Sequence, residues 1–100
     1  MDKKYFVYIM ANERNGTLYT GVTGNLSRRV YEHKTHKYQD SFTDIYELNM
    51  LVYFKEFSNI DAAIRHEKRI KKWDRNWKKD LIERYNPEWK DLYDNLNMLI

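Results

Sequence analysis

The sequence has 100 residues, of which 42% are hydrophobic and 16% aromatic, and this composition predicts one folded domain rather than a disordered chain. It contains no cysteine, which excludes disulfides, a thiolate nucleophile and a cysteine-based zinc site. The net charge is only +3, and the apolar run near the N-terminus is too short for a secretory signal or a membrane span, so a cytoplasmic, non-membrane protein is expected.

Three β-prone runs predict three strands, which cover residues 5–11, 17–22 and 48–57. The Asn15-Gly16 pair between the first two runs is typical of a hairpin turn. The third run is long and hydrophobic, so we expect it to occupy the centre of the sheet. A hairpin at the start of the chain favours a small antiparallel sheet.

Helix signals follow the hairpin and the third strand. Asn25 is a suitable N-cap for a first helix that runs from Leu26 to near His36, and residues 37–46 lack periodicity and are expected to form a loop. Three further helical stretches are predicted, over residues 60–73, 76–85 and, more weakly, 87–100. The resulting order ββαβααα indicates an α+β domain.

Three polar residues fall on helix faces that are otherwise apolar. On a helical wheel, Arg29 and His33 share the inward stripe of the first helix with Leu26 and Val30. Glu67 lies in the middle of the apolar stripe of the second helix. Burying a lone carboxylate costs several kcal/mol unless a cation meets it. Two interpretations of Glu67 are therefore open, a buried salt bridge with Arg29 and a metal site. For His33, the alternative to a functional role is a half-buried histidine whose hydrogen bonds are satisfied.

Basic residues are concentrated in one part of the sequence. Residues 65–79 carry eight Lys or Arg residues against two acids. Such a block is typical of a polyanion binder, and a solvated helix face is the alternative. Trp73 and Trp77 within it are of a type that stacks on unpaired bases. They also form a row with Leu81 at helical spacing, so core packing is expected for at least one of them.

Three segments resemble the GIY-YIG endonuclease superfamily in their order and spacing, and in particular its small stand-alone bacterial branch. They read FVYIM at 6–10, LYTGVTGNLSRRVYEHK at 18–34 and AAIRHEKRIKKW at 62–73. The resemblance covers about residues 5–93, so we expect one nuclease-like domain over residues 1–94 and a C-terminal tail over 95–100.

Three positions depart from the family pattern. Phe6 stands where the family name has glycine, and Val22 stands where repair-type members carry a lysine near the tyrosine. Asn86 is a poor match for the asparagine that follows the glutamate in those members.

The resemblance implies a three-stranded antiparallel sheet flanked by helices and an enzyme that hydrolyses DNA phosphodiester bonds with one Mg²⁺ or Mn²⁺ ion. It assigns the metal to Glu67 and the grip on the scissile phosphate to Arg29. Tyr19 is the first choice for the group that takes the proton from the attacking water. His33, with an ordinary pKa near 6.5, is a second acceptor or the base itself, and Tyr8 orients the water or Tyr19.

DNA is the expected partner, held through its backbone and therefore by structure rather than by sequence. The candidate contact residues are Arg28, Arg65, Lys68, Arg69, Lys71, Lys72 and Lys78. A role in repair or in processing of branched or damaged DNA is one expectation. A non-catalytic nucleic-acid-binding module that retains the nuclease scaffold is the alternative, favoured by Val22. A monomer is expected, with a weak dimer through the apolar tail as the other option.

Overall fold

The computed structural model of the protein describes residues 3–35 and 42–96. In chain order its elements are β1 (Tyr5–Ala11), β2 (Leu18–Thr23), α1 (Leu26–Lys34), α2 (Phe42–Ile45), β3 (Met50–Phe57), α3 (Ile60–Lys72), α4 (Arg75–Tyr85) and a 3-10 turn at Tyr93–Asn95. The predicted α+β fold class is confirmed. The structure adds the short helix α2 inside the predicted loop, and the last predicted helix is only a 3-10 turn within the described part. No helix in these ranges is long and apolar enough to cross a membrane.

The sheet has the order β2-β1-β3, and β1 pairs antiparallel with both neighbours. The prediction that the third strand occupies the centre is therefore wrong. β3 can be hydrophobic at an edge because the C-terminal segment covers part of that edge. Leu92 N–H donates to the Leu51 carbonyl at 2.8 Å, and the Leu51 N–H donates to Asp91 Oδ1 at 3.1 Å. The Asn86 side-chain amide donates to the Val52 carbonyl at 3.0 Å.

β1 is buried on both faces, which explains why its sequence is continuously apolar instead of alternating. One face contributes to a core with α3 and α4, whose buried members include Val7, Ile9, Ala11, Ala63, Ile70, Leu81 and Ile82. The other face contributes to a second core with α1, whose buried members include Phe6, Tyr8, Met10, Leu26, Val30 and Leu96. These two sides of the sheet are called the Val7 face and the Tyr8 face below.

Polar caps determine where the helices begin. Asn25 caps α1 as predicted, and Asn59 and Asp74 cap α3 and α4; each side-chain oxygen accepts the backbone N–H three residues further on. α1 ends at Lys34, slightly before the predicted end near His36, which lies outside the described residues.

The buried stripe of α3 consists of Ala63, Glu67 and Ile70. Ile60, which the wheel placed on the same stripe, is 47% exposed because it lies in the first turn, at the margin of the core. Glu67 itself is only 8% exposed, so the sequence pattern identified a carboxylate that is truly buried.

Replacing Asn86 with alanine is expected to lower the free energy of unfolding by about 1–3 kcal/mol, because it strips hydrogen bonds from buried groups. The Asn86 amide donates to the carbonyls of Val52 and Lys90 and accepts the Lys90 N–H, at 2.8 to 3.0 Å. Urea unfolding followed by circular dichroism measures the change. Asn76→Ala, an exposed amide on α4, is the matched control with a change below about 0.5 kcal/mol. Equal effects of the two substitutions would contradict the structural role of Asn86.

Candidate active site

The hairpin places two tyrosines side by side on the Tyr8 face. In the β1–β2 register, Tyr8 pairs with Gly21 and Tyr19 pairs with Met10, so the two phenols project toward α1. A Cβ atom on Gly21 would lie 2.7 Å from both Cζ and the hydroxyl oxygen of Tyr8. Glycine is therefore required here to make room for a ring. Since no described glycine has a positive φ, a special backbone conformation is not the reason.

Helix α1 brings an imidazole to the two phenols. The Tyr8 hydroxyl lies 3.0 Å from His33 Nε2. The ring centroids are 6.2 Å apart for Tyr8 and Tyr19, 5.8 Å for Tyr8 and His33, and 5.6 Å for Tyr19 and His33. Tyr8 and His33 are buried, whereas Tyr19 is half-buried. We refer to these three residues as the phenol–imidazole cluster.

Arg29 joins this cluster from one turn earlier in α1. Its side chain is 30% exposed, and its guanidinium interacts with the Tyr8 hydroxyl. Arg29 Nη1 also lies 3.4 Å from Glu32 Oε1, and Arg28 Nε lies 3.4 Å from Glu32 Oε2. Four residues predicted as catalytic, Tyr8, Tyr19, Arg29 and His33, are thus brought together.

Glu32 is a charged residue of this site that the sequence analysis missed. It is only 7% exposed, and it holds two arginines. It lies off the apolar stripe of α1, which is why the wheel did not select it. Its spacing of three and four residues from Arg29 and Arg28 was the available signal.

A pocket of about 370 Å³ opens beside the guanidinium groups. Its lining residues are Thr23, Gly24, Asn25, Arg28, Arg29 and Glu32. Arg29 therefore faces both the buried hydroxyl of Tyr8 and a space that an anionic oxygen can enter.

Burial, together with the neighbouring Tyr19 hydroxyl, raises the pKa of Tyr8 well above its usual value, and Arg29 offsets this only in part. Tyr8 is accordingly a neutral phenol at pH 7. Burial, and then Arg29, lowers the pKa of His33 to about 4, against an opposing effect of Glu32. The imidazole is therefore neutral, and the assignment consistent with both states has the Tyr8 O–H donating to Nε2.

The pKa of Arg29 is raised above its usual value. Burial lowers it, but Tyr8, Tyr19 and the hydrogen bond to Glu32 together raise it by more. Arg29 therefore stays positively charged, and its charge interacts with the buried carboxylate of Glu32 and with the hydroxyls of Tyr8 and Tyr19.

Glu67 approaches from a different part of the fold. Its polar partner among the described residues is Lys71, with Nζ 2.8 Å from Oε1. Helix α3 packs against β1 and β2, but Ala63 and Ile70, on either side of Glu67, belong to the core of the Val7 face. The Glu67–Arg29 salt bridge considered from the sequence does not form, since Glu67 pairs with Lys71 and Arg29 with Glu32.

The donor set around Glu67 is small. Within residues 3–35 and 42–96, no group of three or more His, Asp or Glu side chains is arranged to hold a metal ion. A single buried carboxylate with one amine partner remains compatible with Mg²⁺, which keeps several waters and is often bound through one or two carboxylates and substrate phosphates.

The predicted backbone-contact residues are mostly on the surface. Six of them, Arg28, Arg65, Lys68, Arg69, Lys71 and Lys72, are exposed, and Lys78 is half-buried. Exposure is required for contact with DNA phosphates, and it is equally a property of a solvated helix face. Their role in binding therefore stays a prediction.

A row of aromatic rings extends from Tyr19 across the surface. The Phe42 ring lies 6.1 Å from that of Tyr19, and the Tyr46 ring lies 4.7 Å from that of Phe42. Phe42 and Tyr46 are 46% and 48% exposed. Both fall in the region predicted as a loop, where no helical or strand periodicity indicated a ring on the surface.

The three-stranded antiparallel sheet flanked by helices is consistent with a nuclease-type domain. A family model described as the GIY-YIG catalytic domain matches residues 4–80. The chain belongs to the GIY-YIG family.

Several relatives match most of this chain over most of their own length. A UPF0213 protein of Syntrophus aciditrophicus is 33% identical over 88 residues, which are 88% of this chain and 98% of that protein. A UPF0213 protein of Oceanobacillus iheyensis is 39% identical over 83 residues, or 83% and 94% of the two chains. The solution NMR structure of a UPF0213 protein from Bacillus halodurans matches with a TM-score of 0.56 and 26% identity, covering 88% of this chain and 92% of that one. The resemblance seen in the sequence is therefore confirmed.

Gly21→Ala is expected to displace the Tyr8 ring and to lower the free energy of unfolding by about 1–3 kcal/mol, because the added methyl group meets a buried phenol. The matched control is Gly24→Ala, where a Cβ meets nothing within 4 Å. Urea unfolding compares the two variants. A Gly21→Ala protein as stable as the Gly24→Ala protein would show that Tyr8 is not fixed against β2.

The free energy of unfolding should fall as the pH drops from about 6.5 to about 4, by up to about 3 kcal/mol from His33 alone. The folded imidazole stays neutral in this window while the unfolded one takes up a proton, so acid favours unfolding. His33→Gln should remove this slope. Burial also lowers the pKa of His66, so the comparison is made in a His66→Gln background. The same slope with and without His33 would contradict the assignment.

Proposed function

We propose that the protein is an endonuclease of the hydrolase class that cleaves DNA phosphodiester bonds with the help of one Mg²⁺ or Mn²⁺ ion. The observation that carries this proposal is the contact of two phenols, a neutral imidazole and a permanently charged guanidinium beside an open pocket. These groups supply a proton acceptor and an anion site within one small region, as hydrolysis of a phosphodiester requires.

Arg29 binds the scissile phosphate in this proposal. Its planar guanidinium presents two donors that match two phosphate oxygens. Glu32 Oε1 lies 3.4 Å from Arg29 Nη1, and both side chains line the open pocket. Because Arg29 remains charged at every working pH, its contribution is a fixed positive field where negative charge increases in the transition state.

In this proposal Tyr19 first releases its own proton to solvent, which its half-buried position allows, and the resulting phenolate takes the proton from the attacking water. Tyr19 is the half-buried phenol of the pair, and Arg29 acts on it electrostatically. Tyr8 is unsuited to this step, because it is 1% exposed and its raised pKa keeps the hydroxyl protonated. Its hydroxyl instead interacts with Tyr19 and donates to His33, which positions both rings.

His33 acts mainly as an acceptor that orients Tyr8. An imidazole with a pKa of about 4 is a weaker base at pH 7 than the ordinary value of 6.5 suggested. We therefore propose for His33 the role of a neutral hydrogen-bond partner that positions Tyr8 in the free protein. His33 contributes to the site by its hydrogen bond with Tyr8, and Tyr19 is the proposed first proton acceptor.

Glu67 would hold the metal ion, since it is the buried carboxylate of the described residues that no arginine neutralises. When bound, the ion supplies charge stabilisation for the leaving 3′ oxygen. Lys71 pairs with the carboxylate before the ion arrives. Its side chain is 52% exposed, so it can move away when a stronger cation binds.

DNA is bound through its backbone in this proposal, so the choice of substrate depends on structure. The exposed basic residues of α3 face solvent and carry no base-reading pattern. Processing of branched or damaged DNA in the cytoplasm, as in repair, is the setting in which a nuclease with these properties would act.

A non-catalytic DNA-binding module is the second candidate function. Position 22 is a valine, which has no amine to offer Tyr19, and its side chain packs against the Val7-face core. Glu67 lies on a helix that packs against the other face of the sheet from Tyr8. Both observations favour a scaffold that binds without turnover.

The test is incubation of the pure protein with labelled duplex, flapped, branched and single-stranded DNA in Mn²⁺ or Mg²⁺. Tyr19→Phe should reduce the rate about 10²- to 10⁴-fold and Arg29→Ala about 10²- to 10³-fold, because each removes a group needed in the transition state. Glu67→Gln should abolish the metal-induced rise in melting temperature as well as cleavage.

Matched controls are Tyr31→Phe, an exposed phenol on α1, and Glu88→Gln, an exposed carboxylate, and both should retain the parent rate. Cleavage that persists in the Tyr19 and Arg29 variants would place the activity elsewhere. Binding by the parent without cleavage of any substrate would favour the second candidate function.

A further inference from the structure

Two tryptophans form a corner where α3 meets α4. The Trp73 and Trp77 rings have centroids 5.8 Å apart and planes inclined at 73°. They open onto a groove of about 250 Å³, and its lining residues are Trp73, Trp77, Asp80, Leu81 and Arg84. We refer to this feature as the tryptophan groove.

The groove presents the indole ring of Trp77, most of which lies outside the hydrophobic core. Trp77 is 59% exposed, whereas Trp73 packs against the Val7-face core and Trp89 is 2% exposed. An indole left in water gives up the burial that makes tryptophan valuable to a core, so a surface position favours a binding role. The sequence prediction that at least one of the pair packs in the core is confirmed for Trp73.

The walls of the groove are fixed before any ligand binds. The Trp73 N–H donates to the Ile70 carbonyl at 3.0 Å, which ends α3. Asp74 accepts the Trp77 N–H at 3.1 Å and starts α4. Arg75 donates to the carbonyl of Gly16 in the β1–β2 turn, which anchors the junction to the sheet. The backbone that carries the groove therefore loses little entropy on binding.

The charged residues of the groove lining, and the basic sequence next to it, suit a nucleotide as the ligand. Its lining carries one acid and one base, Asp80 and Arg84, and is neutral in sum. Lys72 and Lys78 lie next in sequence to the two tryptophans, and Lys72 is exposed. A nucleotide joins a neutral aromatic ring, which suits the neutral lining, to anionic phosphates, which suit the lysine-rich segment that contains the two tryptophans.

We propose that the tryptophan groove binds an unpaired nucleobase of a nucleic-acid strand. The base stacks on Trp77 with its edge toward Trp73, while Asp80 offers an acceptor to amino groups and Arg84 a donor to carbonyl groups of the base. Lys72 and Lys78 meet the adjoining phosphates. An internal base pair has neither face free, so the interior of a duplex cannot occupy the groove.

This inference deepens the proposed function and rests on it for the choice of DNA as the polymer. The groove lies on the Val7 face of the sheet, because Leu81 belongs to that core, and the phenol–imidazole cluster lies on the Tyr8 face. The two sites are therefore distinct. The substrate class that engages both is DNA carrying unpaired nucleotides, as in flaps, branches and single strands.

The experiment measures fluorescence anisotropy of a labelled single-stranded oligonucleotide and of the blunt duplex of the same sequence, without divalent metal. Trp77→Ala should weaken binding of the single strand about 5- to 100-fold, the range of one lost base–aromatic stack, and leave duplex binding unchanged. Trp77→Phe should recover most of the loss. Tyr85→Ala is the matched control, because Tyr85 is a 70% exposed ring on the same helix that does not line the groove.

Salt dependence separates stacking from phosphate contacts. The slope of log affinity against log salt should be the same for the parent and Trp77→Ala, because a base stack releases no counterions. Lys72→Ala should make that slope shallower. A Trp77→Ala protein with a changed slope would indicate a general electrostatic defect and overturn the proposal.

Other outcomes also decide the matter. Equal single-strand affinity of the parent and Trp77→Ala, or an equal loss for both DNA forms, would overturn base binding. A parent dimer that becomes a monomer on Trp77→Ala, measured by light scattering, would assign the groove to self-association instead. Since the assay contains no metal, selective single-strand binding without cleavage in the earlier test would reject the nuclease and retain the groove. Cleavage without such selectivity would do the reverse.

Discussion

The candidate site depends on the packing of one phenol over one glycine. The Tyr8 ring lies where any side chain on Gly21 would stand, and this close approach buries its hydroxyl against His33. Burial then keeps the phenol protonated and the imidazole neutral, so the pair forms an uncharged hydrogen bond within the core. Arg29 can remain charged next to them because Glu32 and the phenols compensate its burial. The chemistry of the site thus follows from packing.

The central position of β1 has a related effect. A strand covered on both sides contributes alternate residues to two cores, and here one core carries the phenols while the other carries the helix of Glu67. β2 forms the outer edge on that side, and α3 packs against it. β1 therefore packs against both α1, which carries Arg29, and α3, which carries Glu67, so packing changes in β1 influence both helices.

The sequence predicted much of this arrangement because local rules governed it. Asn25 is the N-cap of α1, as predicted, and the helical wheel correctly identified Glu67 as buried. The edge position of β3 was missed because a hydrophobic run indicates burial but not which part of the chain causes it. The residues that cover the edge of β3 come 34 to 40 positions later in the chain. Glu32 was missed for a similar reason, since its burial arises from two arginines rather than from an apolar stripe. The lowered pKa of His33 depends on neighbours that no sequence pattern places.

The cover on the edge of β3 also bears on how the domain is delimited. The family match ends at residue 80, yet Asn86, Asp91 and Leu92 satisfy backbone groups of β3, and Leu96 fills part of the Tyr8-face core. A fragment cut where the match ends would leave an apolar strand with free donors and acceptors, the template for strand-to-strand aggregation. The minimal folding unit is therefore longer than the segment that matches the family model, and its last residues protect the edge of β3 from pairing with another chain.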